Sequence, residues 1–200
     1  MTCVVEIVPL SDGIGWDVIH EILYKAHESN RQKGVFMRTA NLSGEELKER
    51  VGTTGQCFVA LVDGTVAGTG SVKIVNRNAW YHKGPIGDFI LSGVLPEYKG
   101  LGLYDKLTEA RVDFVKKNGA SVIELDTAEG NSLMQSISLK HGFRYVAVKA
   151  SPYTKHYSVV MAKWLGDAPF GDFYCKIRYQ LQSILYKLRY KRGHIKRFGI

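Results

Sequence analysis

Val94-Leu95-Pro96-Glu97-Tyr98-Lys99-Gly100-Leu101-Gly102-Leu103-Tyr104 is the stretch on which the fold turns. Apolar residues end a predicted strand over Ile86–Leu95, Pro96 closes it, a Gly-x-Gly turn follows, and a predicted helix over Leu101–Lys117 begins at once. The first amides of a helix have no internal acceptor, and the aligned peptide dipoles place partial positive charge beside them. Strand, glycine turn and helix start in this order form a seat for a phosphate or diphosphate. Gly100 and Gly102 let the backbone come close to an anion, and Lys99 adds a full charge. A Gly-x-Gly alone is also what a tight turn needs for its own geometry. Neither the GxGxxG of dinucleotide-binding folds nor the GxxxxGK[ST] of P-loops is present.

Working outward, Cys3–Leu10 predicts a strand, and Asp12 a cap for a helix over Ile14–Glu28, with Ile14, Val18, Ile22 and Leu23 at helical spacing. Asn30–Asn41 predicts a loop or broken helix. Ser43 and Glu46 make a capping-box pattern before a short helix over Gly44–Val51. Gln56–Val62 and Val66–Val75 predict strands joined at an Asp63-Gly64 hairpin turn, and Arg77–Pro85 a loop. Downstream, Asn118-Gly119 ends the long helix, in which Leu103, Leu107, Ala110, Val112 and Val115 are the apolar positions. A strand over Ser121–Thr127, a helix over Ser132–His141, and strands over Phe143–Lys149 and Tyr157–Trp164 follow. Hairpin-linked strands followed by a βαβα unit predict an α/β (α+β) domain around a mixed central sheet of about seven strands flanked by helices. Gly166–Gly171 predicts a linker, so residues 1–165 form the domain and 166–200 a separate basic segment.

Length and composition suit one soluble domain with its own core: the chain has 200 residues, 45% apolar and 23% charged. Cys3, Cys57 and Cys175 are odd in number and far apart, which predicts neither a disulfide framework nor a zinc site, and fits reduced thiols in the cytoplasm. No basic segment leads into an apolar run at the N-terminus, and no apolar stretch is long enough to cross a bilayer. The net charge of +8 is uneven: residues 166–200 hold eight Lys/Arg against two Asp, and the remainder nineteen Lys/Arg against seventeen Asp/Glu. The body is nearly neutral, so the overall charge argues against nucleic acid as its partner.

The glycine turn resembles the diphosphate-binding motif of the GNAT superfamily of acyl-CoA N-acyltransferases, [Gln/Arg]-x-x-Gly-x-[Gly/Ala] after a strand ending in V-x-P. Lys99, Gly100, Leu101, Gly102, Leu103 and Tyr104 occupy the six positions; the central glycine matches, Lys99 is a basic substitute, and Tyr104 departs from the small residue. Further on, the family's N-x-x-A-x-x-L-Y-x-K-x-G-F is similar to the run from Asn131 to Phe143. Asn131, Lys140, Gly142 and Phe143 match in register, Met134 replaces a small residue, and Ser138 stands where many members carry a tyrosine. The resemblance covers about residues 3–165.

That resemblance implies a V-shaped opening between the fourth and fifth strands, with acetyl-CoA or another acyl-CoA as co-substrate and no metal. Ser92 and Val94 would meet the pantetheine arm through main-chain groups. The amides of Gly100, Leu101, Gly102, Leu103 and Tyr104, helped by Lys99, would hold the phosphates, and Asn131 would bind near the pantetheine or cap a helix. Transfer to an amine needs a base, because an ammonium has no lone pair to attack with. Asp88, on the strand where several members carry a catalytic Glu, is the preferred base, sharing a face with Ile90, Ser92 and Val94 by strict alternation; its plain reading is a structural carboxylate. Glu124 and Asp126 are its rivals. Ser138 takes the acid position by register, with Tyr104 and Tyr153 as alternatives; the histidines are assigned to surface or packing. By the same analogy the acceptor, a small-molecule or saccharide amine, would lie among Ser29–Asn41, Trp80-Tyr81-His82 and Ser151–His156. These segments are aromatic and basic, which suits an anionic acceptor. The competing reading is an acyl-CoA-binding sensor, or a membrane-associated assembly module, with weak catalysis.

In the basic segment, Phe173, Ile177, Leu181, Ile184, Leu185 and Leu188 repeat at helical spacing with most cations off the stripe. This predicts a C-terminal amphipathic helix. It packs on its own domain or on a second copy as a homodimer, or, through residues 170–200, on an anionic membrane surface; nucleic acid is the remaining reading.

Overall fold

The computed structural model describes residues 3–11, 13–35, 38–150 and 157–191, with the side chains of 190 and 191 left out. Asp12, Tyr153 and the 151–156 part of the expected acceptor region therefore lie outside the described residues. The elements are β1 (Val5–Pro9), α1 (Trp16–Ala26), α2 (Glu28–Gln32), a 3-10 turn (Arg38–Asn41), α3 (Gly44–Val51), β2 (Gly55–Val62), β3 (Thr65–Ala79), β4 (His82–Val94), a 3-10 turn (Pro96–Tyr98), α4 (Leu103–Lys117), β5 (Val122–Ala128), α5 (Ser132–Lys140), β6 (Arg144–Ala150), β7 (Tyr157–Trp164) and α6 (Asp172–Lys191). Among the described residues, seven strands form one mixed sheet in the order β1-β2-β3-β4-β5-β7-β6, antiparallel at every joint but the parallel β4–β5 pair.

Local chemistry accounts for most of the element ends. Ser43 Oγ accepts from the Glu46 amide at 3.3 Å while the Glu46 carboxylate accepts from the Ser43 amide at 2.7 Å, so the capping box starts α3 as expected. Asp63 and Gly64 both take positive φ, 47° and 79°, which turns β2 tightly into β3. The expected loop over Arg77–Pro85 is instead the end of a long hairpin, with Ala79 paired to His82 across Trp80-Tyr81. Tyr81 is buried, and Trp80 Nε1 donates to the Val146 carbonyl at 3.1 Å, so aromatic burial extends a strand that its polar residues hide. Pro85 falls where β4 has a neighbour on one side only, a setting that tolerates a missing N–H. In α1, Ile19 rather than Val18 faces inward, beside Ile22 and Leu23.

Two layers of helix cover the sheet. Ile19 and Leu23 of α1 and Leu47 and Val51 of α3 pack on Val59, Ile90 and Leu91. On the opposite face, Leu103, Leu107 and Val115 of α4 pack on Ala60, Ala67, Val72 and Phe89. The two layers press closely on β4: a Cβ on Gly87 would lie 2.1 Å from a Val115 methyl, and one on Gly93 2.9 Å from Ala26. Those two contacts place Gly87 toward α4 and Gly93 toward α1.

β4 carries a bulge. Thr69 pairs with Gly93 and Ser71 with Ile90, so β4 has one residue more than β3 over this span, and Leu91 takes φ 51°. The bulge bends β4 and reverses the alternation of its side chains. Asp88 and Ile90 lie on the α1 side, whereas Ser92 and Val94 turn to the α4 side. The expectation that all four share a face is corrected here, and the extra residue is the reason.

Replacing Gly87 by Ala should destabilise the fold by about 1–3 kcal/mol through overpacking, seen as a lower Tm. Adding Val115→Ala should recover part of that loss, because it removes the methyl groups that the new Cβ meets.

Candidate active site

α4 opens on two glycines in the left-handed region, Gly100 at φ 87° and Gly102 at φ 70°. A Cβ on either would meet nothing within 4 Å, so the backbone angle, not crowding, is what calls for glycine. Gly102 is the N-cap and has no side chain to offer the first turn. The first helical bond runs from the Lys106 amide to the Gly102 carbonyl at 3.2 Å, and no amide from Gly100 to Asp105 donates to a backbone carbonyl of the described residues. Lys99, Gly100, Leu101 and Gly102 are exposed, while the Leu103 side chain anchors the turn in the core with Val94 and Leu107. A row of free amides beside an exposed lysine fits a diphosphate.

Next to this turn the sheet opens. β4 and β5 pair only from Gly87–Ile123 to Phe89–Leu125, and then part. The resulting cleft, about 560 Å³, is lined by Ser92, Tyr104 and Asn131 of the expected site, together with Thr127, Arg111 and His27. Asn131 both caps α5, accepting from the Met134 amide at 3.3 Å, and donates to Thr127 Oγ1 at 3.2 Å. Val94 stands outside the lining, with its side chain in the α4 core.

Arg111 has no exposure at all. Its Nε donates to the Leu107 carbonyl at 3.1 Å, Nη1 to Ser92 Oγ at 2.6 Å and Nη2 to Thr108 Oγ1 at 3.1 Å, with the guanidinium 4.2 Å from the Phe89 ring centre. No carboxylate of the described residues pairs with it. Burial pushes its pKa down, yet a guanidinium stays charged, so the cleft wall holds a cation with no counter-ion among the described residues. The sequence carried a signal for it: Leu103, Leu107, Arg111 and Val115 are four apart, which puts a cation on the apolar stripe of α4. His27, assigned to surface or packing, also lines the cleft. Burial drives its imidazole down to about 4, over the opposing hydrogen bond to the Ser92 backbone, and nearby Arg31 and Lys99 lower it further. It is therefore neutral at neutral pH.

Carboxylates gather at the closed end of the V. Asp88 sits opposite Glu124 across the parallel pair and opposite Lys73 on β3. Glu124 is buried and engaged at both oxygens: Arg77 Nη1 lies 2.7 Å from Oε1, and the Tyr81 hydroxyl donates to Oε2. Burial, with repulsion from Glu124 and Asp126, raises Asp88 to about 6 despite Arg77 and Lys73. Asp126 is exposed and lines the cleft, and Asp88 lies behind it, outside the lining. Ser138 is fully buried and away from the cleft, its hydroxyl donating to the Met134 carbonyl at 2.8 Å. Its proton is held within α5, so the expected acid position delivers no donor to the cleft.

Comparison with known proteins bears on this site. The family model described as the acetyltransferase (GNAT) family matches residues 16–143. Among solved structures, the chain is similar to the ribosomal-protein-S18-alanine N-acetyltransferase from Escherichia coli, at 18% identity and TM-score 0.62, covering 82% of this chain and 96% of that one. It is similar to the PaiA N-acetyltransferase from Thermoplasma acidophilum in complex with coenzyme A, at 19% identity and TM-score 0.60, covering 80% and 99%. It is also similar to a GNAT family acetyltransferase from Elizabethkingia anophelis with acetyl-CoA bound, at 13% identity and TM-score 0.59, covering 80% and 98%. None of the curated proteins matches.

The raised Asp88 pKa has a consequence for stability that needs no substrate. Folding lifts this carboxyl from 3.8 to about 6. The cost is absent at pH low enough to protonate both states and complete once the pH exceeds the folded pKa. Asp88→Asn should therefore raise Tm relative to the parent more at pH 8 than at pH 4, as read by calorimetry at the two pH values.

Proposed function

The chain belongs to the acetyltransferase (GNAT) family, and we propose that it acetylates a small amine bearing an anionic group, a saccharide or other small molecule, with Asp88 as the base. It is an acyl-CoA-dependent N-acetyltransferase with acetyl-CoA as co-substrate. The observation that carries the reading of its site is the early parting of β4 and β5 directly beside the unpaired amides that open α4.

In this reading the amides of Gly100, Leu101, Gly102, Leu103 and Tyr104, with Lys99, hold the diphosphate. Ser92 and Asn131 in the cleft, and the Val94 main chain, meet the pantetheine arm. The amine nitrogen bonds to the thioester carbonyl carbon, the carbon–sulfur bond breaks, and the amine proton passes to Asp88 through water at Asp126. A carboxyl titrating near 6 is ionised at neutral pH and still basic enough to receive that proton. Tyr104, which lines the cleft 5.7 Å from Arg111, takes the place of Ser138 beside the leaving sulfur.

The acceptor class rests on charge. Among the described residues, Lys33, Arg38, Arg50, Arg111 and Lys149 line the cleft against one carboxylate, Asp126. Arg50 Nε is buried with no hydrogen-bond partner among the described residues. A carboxylate or phosphate on the acceptor would suit this excess of cations and give Arg50 Nε an acceptor.

Thiol release from acetyl-CoA in the presence of amines with and without an anionic substituent tests the reading. Release should require the amine, favour the anionic member of each pair, and rise with pH through a limb near 6. Asp88→Asn should lower kcat by about 10²–10⁴ and remove that limb. Binding of coenzyme A without release by any amine would mark an acyl-CoA sensor instead.

A further inference from the structure

α6 faces the wrong way for an ordinary surface helix. Its inner side is aromatic and polar. Cys175 and Ser183 are buried, the Tyr179 ring stacks on Tyr145 at 4.7 Å, and the Tyr186 ring lies 5.1 Å from Tyr157. Gln182 Oε1 accepts from the Val148 amide at 3.2 Å, and the Ser183 and Tyr157 hydroxyls are bonded at 2.8 Å. These contacts fix the helix along the edge strand β6 and leave its aliphatic stripe outside. Phe173, Ile177, Leu181, Ile184, Leu185 and Leu188 are 39–77% exposed. A helix of a globular domain normally turns such a stripe to the core, and a contiguous outward apolar patch marks an interaction surface.

Charge selects the partner. At 3.6 residues per turn, Lys176 and Lys187 fall along one border of the stripe and Arg178 and Arg189 along the other; Lys176 and Arg189 are exposed, while Arg178 lies half-buried over the Trp80 ring and Lys187 also pairs with Glu129. From Phe173 to Lys191 there is no Asp or Glu, and the following residues add Arg192, Lys196 and Arg197, again with no acid. A second copy would bring this surface against itself in a two-fold interface, setting cations beside cations. Nucleic acid would need free aromatic platforms, but Tyr179 and Tyr186 are turned inward and the outward residues are mostly aliphatic. An apolar stripe between two rows of Lys and Arg matches the boundary of a bilayer, with acyl chains beneath the stripe and anionic headgroups at the cations.

We infer that the outward face of α6 docks the protein on an anionic membrane surface, lying in its plane. No helix among the described residues is long and apolar enough to cross a membrane, so the contact is peripheral. The docked helix also adjoins the cleft: Lys187 Nζ is 3.2 Å from Glu129, and Tyr157, which lines the cleft, is bonded to Ser183. Docking therefore holds the cleft beside the bilayer.

Sedimentation of the full chain with vesicles tests this, using phosphatidylglycerol mixed equally with phosphatidylcholine, and phosphatidylcholine alone. The chain should bind the mixed vesicles, release as salt rises, and leave the neutral ones in solution. Leu181→Glu with Leu185→Glu, both exposed, should weaken binding by on the order of tenfold or more with unchanged circular dichroism and unchanged transfer to a soluble amine. Lys176→Glu with Arg189→Glu should weaken it by a similar factor, since each cation contributes about fivefold. Absence of binding to the mixed vesicles, equal binding to both kinds, or binding indifferent to both variants would overturn the inference. So would a dimer by light scattering that the leucine variant dissociates without any vesicle binding, which would make α6 an interface between copies.

Discussion

The parting of β4 from β5 is the constraint on which the rest of the site depends. The two strands share three residue pairs before they separate, and the bulge at Leu91 lies just beyond the last of them. In a sheet, every backbone group left without a neighbour needs another partner or an opening onto solvent. Here the opening is the cleft itself. The same bulge turns Ser92 toward α4, where its hydroxyl meets Arg111, and leaves Asp88 on the other side of the sheet with Glu124 and Asp126. One extra residue in one strand thus sorts the polar groups around the cavity.

The sorting is electrostatic. The amides that open α4 and the exposed Lys99 lie beside the parting strands, Arg111 is buried in the cleft wall, and Asp88 and Glu124 stand where β4 and β5 are still paired, with Asp126 in the wall. In the proposed reading the anionic carrier meets the amides and Lys99, and the proton goes to Asp88. Glu124 is held by Arg77 and Tyr81, and Asp88, raised to about 6, is the base of the proposed reading. Arg111 fits over the face of the Phe89 ring and in the room left by Gly70, where a Cβ would stand 3.1 Å from the guanidinium carbon. A group so placed acts strongly on charge in the cleft, because little water screens it.

Much of this was legible in the sequence. The glycine turn, the Ser43–Glu46 box, the Asp63-Gly64 hairpin and the Asn131 cap are local features, written in residues adjacent along the chain. What stayed hidden depends on tertiary context. Leu91 is an aliphatic residue at positive φ, so nothing local announces the bulge, and strict alternation then carries Ser92 and Val94 to the wrong face. Trp80 and Tyr81 looked like loop residues because their burial comes from β5, β6 and α6. Ser138 held the expected position in the motif, but a serine is too short to leave its own helix and bonds to the carbonyl of Met134. In α6, periodicity predicted a stripe and could not tell its direction; Tyr145, Tyr157 and the Val148 amide decide that.

The central claim is that amides freed by Gly100 and Gly102 grip the diphosphate of the acyl carrier. Amide resonances followed by NMR during titration with coenzyme A address it atom by atom. The account predicts saturable shifts concentrated on the amides from Gly100 to Asp105, with smaller ones in the outer halves of β4 and β5. Saturation with those amides unmoved and the changes elsewhere, or no change at any concentration, would contradict it.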